Sequence, residues 1–154
     1  MENYICINGK KAELTEEQMK ALGIELPKAS PFGRQPKSTP VYFITSKGRV
    51  EYGVEVKDFH CQGLYDVANY CTDKAIMEQR ALRETLNRIL WRYAMEHGGT
   101  GNYEIAYNPD NGCFMIQNCI YNYFGQSFKT RKDAESAIKE IIEPFMLTHP
   151  DFKF

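Results

Sequence analysis

Polar and apolar positions change period several times along the chain, and each change marks an element. Tyr4-Ile5-Cys6-Ile7 and the run from Lys10 to Leu14 flank Asn8-Gly9. Asn-Gly between two such runs is the signature of a two-residue type I′ hairpin, because both turn residues must take positive φ. Thr15 follows, with Gln18 three residues later. That is the spacing of a capping box, in which side chain and backbone exchange hydrogen bonds at a helix start. Gly23 is placed to end that helix in a left-handed cap. Residues 1–26 therefore read as a small β-β-α element.

Residues 27–40 follow neither period. Four of the seven prolines (Pro27, Pro31, Pro36 and Pro40) fall there, and the charges are all positive: Lys28, Arg34 and Lys37. Proline removes amide donors and disfavours helix at the residue before it, so an extended arm or linker is expected. Residues 41–154 carry a weak internal repeat. Val41 to Thr45 and Val50 to Val56 are β-rich runs around Ser46-Lys47-Gly48-Arg49, and Tyr70-Cys71-Thr72 then leads into a helical pattern. In the second copy, Tyr103 to Tyr107 and Cys113 to Ile120 flank Asn108-Pro109-Asp110-Asn111-Gly112, and Phe128-Lys129-Thr130 leads into another helix. Thr72 and Thr130 are the expected N-caps, since a hydroxyl accepts from the free amides of a first helical turn.

The first long helix is predicted over residues 73–97, where Leu82, Leu86, Ile89, Leu90 and Tyr93 share one face and Gly98-Gly99 stop it. The second carries Ala134, Ala137, Ile138, Ile141 and Ile142, meets Pro144, and adds a turn through Phe145 and Met146 before His149-Pro150. The expected class is α+β: two β-β-α units sharing one antiparallel sheet with helices on one face, after the small N-terminal element.

Composition changes this picture in a few places. At 154 residues the chain can bury roughly 70% of its unfolded surface, so its core needs no disulfide or metal. The 19 basic and 20 acidic side chains leave a net charge of -1. Neutralising duplex phosphates wants a clear basic excess, so duplex DNA is not an expected partner. No apolar run approaches the ~18 residues of a membrane helix, and no basic-then-apolar signal peptide opens the chain. The five cysteines (Cys6, Cys61, Cys71, Cys113 and Cys119) are odd in number and scattered, as in a reduced, cytoplasmic protein.

Three stretches together resemble a family. They are Asn69-Tyr70-Cys71-Thr72-Asp73-Lys74, the run Leu86-Asn87-Arg88-Ile89-Leu90-Trp91-Arg92-Tyr93 continuing to Gly99, and the tail from Pro144-Phe145-Met146 to His149-Pro150-Asp151-Phe152. The family is one of small phage and prophage proteins of Gram-positive gut bacteria, and the resemblance spans roughly residues 40 to 154. It implies a phage setting, the cytosol of a bacterial host and a β-β-α plan. It brings no catalytic residues with it.

The residues that invite chemistry mostly have plainer roles. Arg80, Arg83, Arg88 and Arg92 suggest phosphate contacts. However, Arg80, Glu84, Arg88, Arg92 and Glu96 recur every fourth residue. They are expected to lace an exposed face with ion pairs of about 0.3–0.5 kcal/mol each. His60 and Cys61, in a segment read as extended, point to opposite faces and make no nucleophile pair. His60, Cys61, Cys71, His97, Cys113 and Cys119 lack zinc-ligand spacing, so neither metal nor cofactor is expected. Gly98-Gly99-Thr100-Gly101 follows a helix and precedes a strand, the reverse of a phosphate cradle, and reads as a connector.

Aromatics make up 13% of the chain, and two groups of residues are the expected partner-binding sites. Tyr121, Tyr123 and Phe124 cluster before the second helix, where rings can stack bases or anchor an interface. Phe32, Arg34 and Lys37 sit on the arm, with a ring to bury and two cations to orient a partner. The expected function is non-enzymatic binding. A phage protein of this kind is expected to antagonise host defence, either by occluding a defence nuclease such as a CRISPR effector or by sequestering a nucleotide-like immune signal. A pocket lined by aromatics and arginine would mark the second. The alternative is a nucleic-acid-binding accessory factor in phage DNA metabolism. Self-association stays open.

Overall fold

The computed structural model describes residues 4–7, 10–23, 30–118 and 127–154, and the chain divides into two compact units, Met1–Gly33 and Arg34–Phe154. In the first, strand β1 (Tyr4–Ile7) pairs antiparallel with β2 (Lys10–Glu13), Tyr4 opposite Glu13 and Ile7 opposite Lys10. Asn8-Gly9 lie outside the described residues. Helix α1 (Glu16–Ala21) starts with the expected capping box: Thr15 Oγ1 accepts from the Gln18 amide at 3.3 Å, and Gln18 Oε1 accepts from the Thr15 amide at 2.9 Å. Gly23 follows with φ +70°.

The boundary falls within the proline-rich segment rather than at its end. Residues 34–40 belong to the larger unit because their backbone is hydrogen-bonded there. The Ser38 amide donates to the Glu55 carbonyl at 2.7 Å, and the Glu55 amide donates to the Thr39 carbonyl at 2.9 Å. Prolines set the path, but the residues between them still have donors to satisfy.

The larger unit opens with the hairpin β3 (Pro40–Ile44) and β4 (Val50–Val54), Tyr42 opposite Tyr52. The other edge of β3 is taken by Cys71, which exchanges two backbone hydrogen bonds with Tyr42 at 2.7 and 3.1 Å. Between them lies helix α2 (Phe59–Asp66), capped by Asp58. Its only buried residue is Cys61, so it leaves almost no helical periodicity in the sequence. Helix α3 (Lys74–Glu96) follows as expected, except that its N-cap is Asp73 rather than Thr72: Asp73 Oδ1 accepts from the Ile76 amide at 3.1 Å. It ends at two positive-φ glycines, with the Gly99 amide donating back to the Ala94 carbonyl at 2.9 Å.

The second copy is the sheet β6 (Cys113–Asn118), β5 (Tyr103–Asn108), β7 (Ser127–Phe128), in that spatial order. Thr130 caps helix α4 (Arg131–Ala137), accepting from the Asp133 amide at 3.1 Å. The chain then widens into a π-helical turn (Ile138–Ile142) before α5 (Glu143–Thr148). Pro144 accounts for the widening, since it has no N–H for the carbonyl one turn back.

The class is α+β. The expected shared sheet is not present among the described residues: the two hairpins belong to separate sheets. In each copy the first hairpin strand already has its second edge occupied, by Cys71 in one and by β7 in the other. What the copies share is a helix. Met77 and Ala81 of α3 pack with Ile44 and Cys71, while Leu86, Leu90, Tyr93 and Ala94 join Phe128, Ala134, Ala137, Ile142, Phe145 and Phe152. No described helix is long and apolar enough to cross a membrane.

Candidate functional site

Of the arm residues, Phe32 is about half exposed (52%) and Lys37 is exposed. Arg34 instead turns into the larger unit to meet Glu55, a fully buried carboxylate. Its Nη2 donates to Glu55 Oε1 at 2.9 Å and its Nη1 to Gln62 Oε1 at 2.6 Å. Nε lies 2.8 Å from Oε2 with its N–H aimed off the oxygen, so that contact is electrostatic only. The guanidinium also stands 5.8 Å from the centre of the Tyr65 ring. Tyr70 donates its hydroxyl to Glu55 Oε2 at 2.7 Å, and the Lys57 amide donates to Oε1 at 2.6 Å. Burial pushes the Glu55 carboxyl up, but the hydrogen bonds from Tyr70 and Lys57 and the Arg34 charge together outweigh it, so it titrates below its ordinary range. The Tyr70 phenol is pushed up to about 12, chiefly by burial and then by its bond to Glu55. These contacts hold two of the three Arg34 nitrogens within the larger unit, on Glu55 and Gln62. Tyr121, Tyr123 and Phe124 lie outside the described residues.

His60 and Cys61 are helical, not extended, which corrects their expected conformation. Cys61 is buried with its thiol 3.7 Å from the Val54 carbonyl, and His60 meets the Phe43 ring edge-on at 6.2 Å. Cys61, Cys71 and Cys113 are free thiols. Among the described residues no group of three or more His, Cys, Asp or Glu side chains is placed to hold a metal ion. Gly101 explains the glycine-rich connector: a Cβ there would sit 2.5 Å from Lys129 Cα and 2.7 Å from the Phe128 carbonyl, so only glycine lets β7 pass.

The expected ion-pair stripe on α3 is only partly formed. Glu84 holds Arg80 at 2.8 Å and Arg88 at 3.6 Å. Among the described residues Arg92 and Glu96 form no ion pair.

The described chain also forms an open-mouthed cavity of about 420 Å³ lined by Arg83, Leu86, Asn87, Tyr107, Pro109, Phe152 and Phe154. Arg83 and Asn87 stand one turn apart on α3 and so project from the same flank. Tyr107, at the end of β5, lies opposite Phe114 in the ladder, their rings 5.2 Å apart. Phe154 inserts against both rings, at 5.5 and 5.0 Å, and Phe152 packs on Phe145 at 5.5 Å. Two α3 side chains fasten residues 151–153: Gln79 bonds the Asp151 carbonyl at 2.7 Å and the Lys153 amide at 2.9 Å, and Arg83 Nη2 donates to the Lys153 carbonyl at 3.1 Å. Among the described residues that is the one hydrogen bond of the Arg83 guanidinium, which leaves most of its five N–H donors for a ligand.

No family model, curated protein or solved structure matches the chain. None of the cavity residues was among the expected site residues. The available signal was Arg83, the one helix arginine that falls off the every-fourth-residue stripe, together with the ring density of Phe152-Lys153-Phe154.

Proposed function

We propose that this chain is a non-enzymatic binding protein that holds a nucleotide-like ligand in the cavity between α3, the end of β5 and residues 152–154. One observation supports the reading above others: three aromatic rings, an arginine and an asparagine line one space of about 420 Å³. A planar base gains about 1–3 kcal/mol by stacking on an aromatic ring. A guanidinium presents a fork that suits phosphate, and a carboxamide carries both donor and acceptor for a base edge. The volume lies within the roughly 300–1,000 Å³ of small-molecule sites. In the phage setting that the family resemblance implies, the ligand class is a host nucleotide immune signal, and sequestering it antagonises defence.

The test is equilibrium binding of a panel of mono-, di- and cyclic nucleotides to the full chain and to Arg83→Ala and Tyr107→Ala. The expected result is saturable binding of at least one nucleotide, weakened about tenfold or more by Arg83→Ala, as loss of a charge-assisted contact requires. The bound nucleotide should be recovered chemically unchanged. Absence of saturable binding overturns the proposal, and turnover of the ligand overturns its non-enzymatic part. Salt-dependent binding of single strands that ignores Arg83 replaces it with the nucleic-acid accessory role.

A further inference from the structure

A second concavity of about 180 Å³ lies where the β3–β4 turn meets α3, lined by Ser46, Lys47, Thr85, Arg88, Ile89 and Arg92. Its lining is the inverse of the aromatic cavity: three cations, two hydroxyls and one aliphatic side chain. The two sites are on different flanks of α3, because at 100° per residue the pair Arg88 and Arg92 points roughly 140° away from Arg83 and Asn87.

The turn is built to close on the helix. Gly48 has φ +77°, and a Cβ there would lie 3.1 Å from Thr85 Oγ1 and 3.9 Å from Arg88 Nη1. Glycine serves both the turn conformation and the close approach, and Lys47 is thereby carried to the two arginines. Counter-charge is scarce at the result. Among the described residues only Arg88 has a carboxylate in ion-pair range, Glu84 at 3.6 Å, and that carboxylate already holds Arg80 at 2.8 Å. Lys47 and Arg92 have no carboxylate partner among the described residues. Like charges gathered in a concavity repel one another, and an anion seated between them relieves that repulsion.

We infer that Lys47, Arg88 and Arg92 form a binding site for a phosphate-type oxyanion, with the Ser46 and Thr85 hydroxyls as additional donors. Arginine forks and a lysine ammonium are the side chains that recognise such oxygens, the forks two at a time. The shallow, ring-free lining suits the phosphate alone, whether free or carried on a single-stranded nucleic-acid backbone. The site does not depend on the nucleotide reading, since it shares no residue with the aromatic cavity.

The experiment is an amide-resolved NMR titration of the full chain with inorganic phosphate and pyrophosphate at low ionic strength, with chloride at matched ionic strength as reference. The Gly48 and Thr85 amides are the reporters, and short oligothymidylate is the competitor. Saturable shifts are expected with phosphate and pyrophosphate but not with chloride. They should weaken about tenfold or more in Lys47→Gln/Arg92→Gln, whose exposed positions leave the fold intact. Gly48→Ala should weaken them with every cation retained, an effect that net charge alone would not produce. Displacement of pyrophosphate by oligothymidylate identifies the nucleic-acid backbone as the source, and failure to displace it identifies a free phosphate. Shifts reproduced by chloride, or unchanged affinity in Lys47→Gln/Arg92→Gln, overturn the inference.

Discussion

The two copies of the repeat reach the same plan by different physics. Each is a hairpin whose first strand gains another partner on its outer edge, followed by an N-capped helix. In residues 34–96 the third strand shrinks to one bridge at Cys71, and the apolar cluster is small: Ile44, Cys71, Met77 and Ala81. A buried carboxylate with its arginine and tyrosine completes that half. In residues 101–154 the third strand is β7 and the cluster is larger, drawing on α3, α4, the π-helical turn, α5 and Phe152. A half with little apolar area to bury relies on directional polar contacts, and the aromatic half leaves a ring-lined cavity instead.

The largest expected effect separates the halves directly. Phe128 is 1% exposed at the centre of the aromatic half, and Phe128→Ala should cost about 3–5 kcal/mol in transfer and cavity terms. Urea denaturation reads this as a lower midpoint. A loss under about 1 kcal/mol would mean the second half does not depend on its apolar core in this way.

In the first half the corresponding change is polar. Glu55→Gln keeps the shape but leaves Arg34 facing a neutral group, and a loss of about 2–3 kcal/mol is expected. It should also change the pH profile. The folded-state pKa of Glu55 is depressed from its ordinary 4.5, so its contribution is present above about 4.5 and is lost as pH falls through the folded value. Tyr70 has the opposite sign. Its folded value is raised from 10.0 to about 12, so its contribution is complete below pH 10 and declines as pH rises through about 12. Stability measured from pH 3 to 12 should show Glu55→Gln flattening the acid limb and Tyr70→Phe the alkaline limb. Profiles parallel to the unsubstituted chain would show that the cluster does not couple to folding.

What the sequence revealed follows the same division. The α3 face, the Thr130 cap, the capping box of α1 and the stop at Gly98-Gly99 were legible because each depends on neighbours within one or two turns. The α+β class was legible for the same reason. Helix α2 was not, because it buries only Cys61 and its cap, Asp58, precedes no apolar stripe. The Arg34–Glu55–Tyr70 cluster spans separations of 21 and 15 residues, and no local pattern marks a carboxylate for burial. The aromatic cavity was missed likewise, since it joins the middle of α3, the end of β5 and the chain's last residues.

The smallest expected effect tests the one point at which the copies look alike in sequence and differ in structure. Tyr70-Cys71-Thr72 and Phe128-Lys129-Thr130 both put threonine before a helix, yet only Thr130 caps, because in the first copy Asp73 stands one residue nearer the helix. A carboxylate there accepts the same amide hydrogen bond and also favours the positive end of a 23-residue helix. Thr130→Ala and Asp73→Ala should therefore each cost about 1 kcal/mol. Thr72→Ala should stay within about 0.5 kcal/mol, as an ordinary substitution away from a cap does. Equal losses at Thr72 and Thr130 in urea denaturation would place the start of α3 one residue earlier and make the two copies the same at their caps.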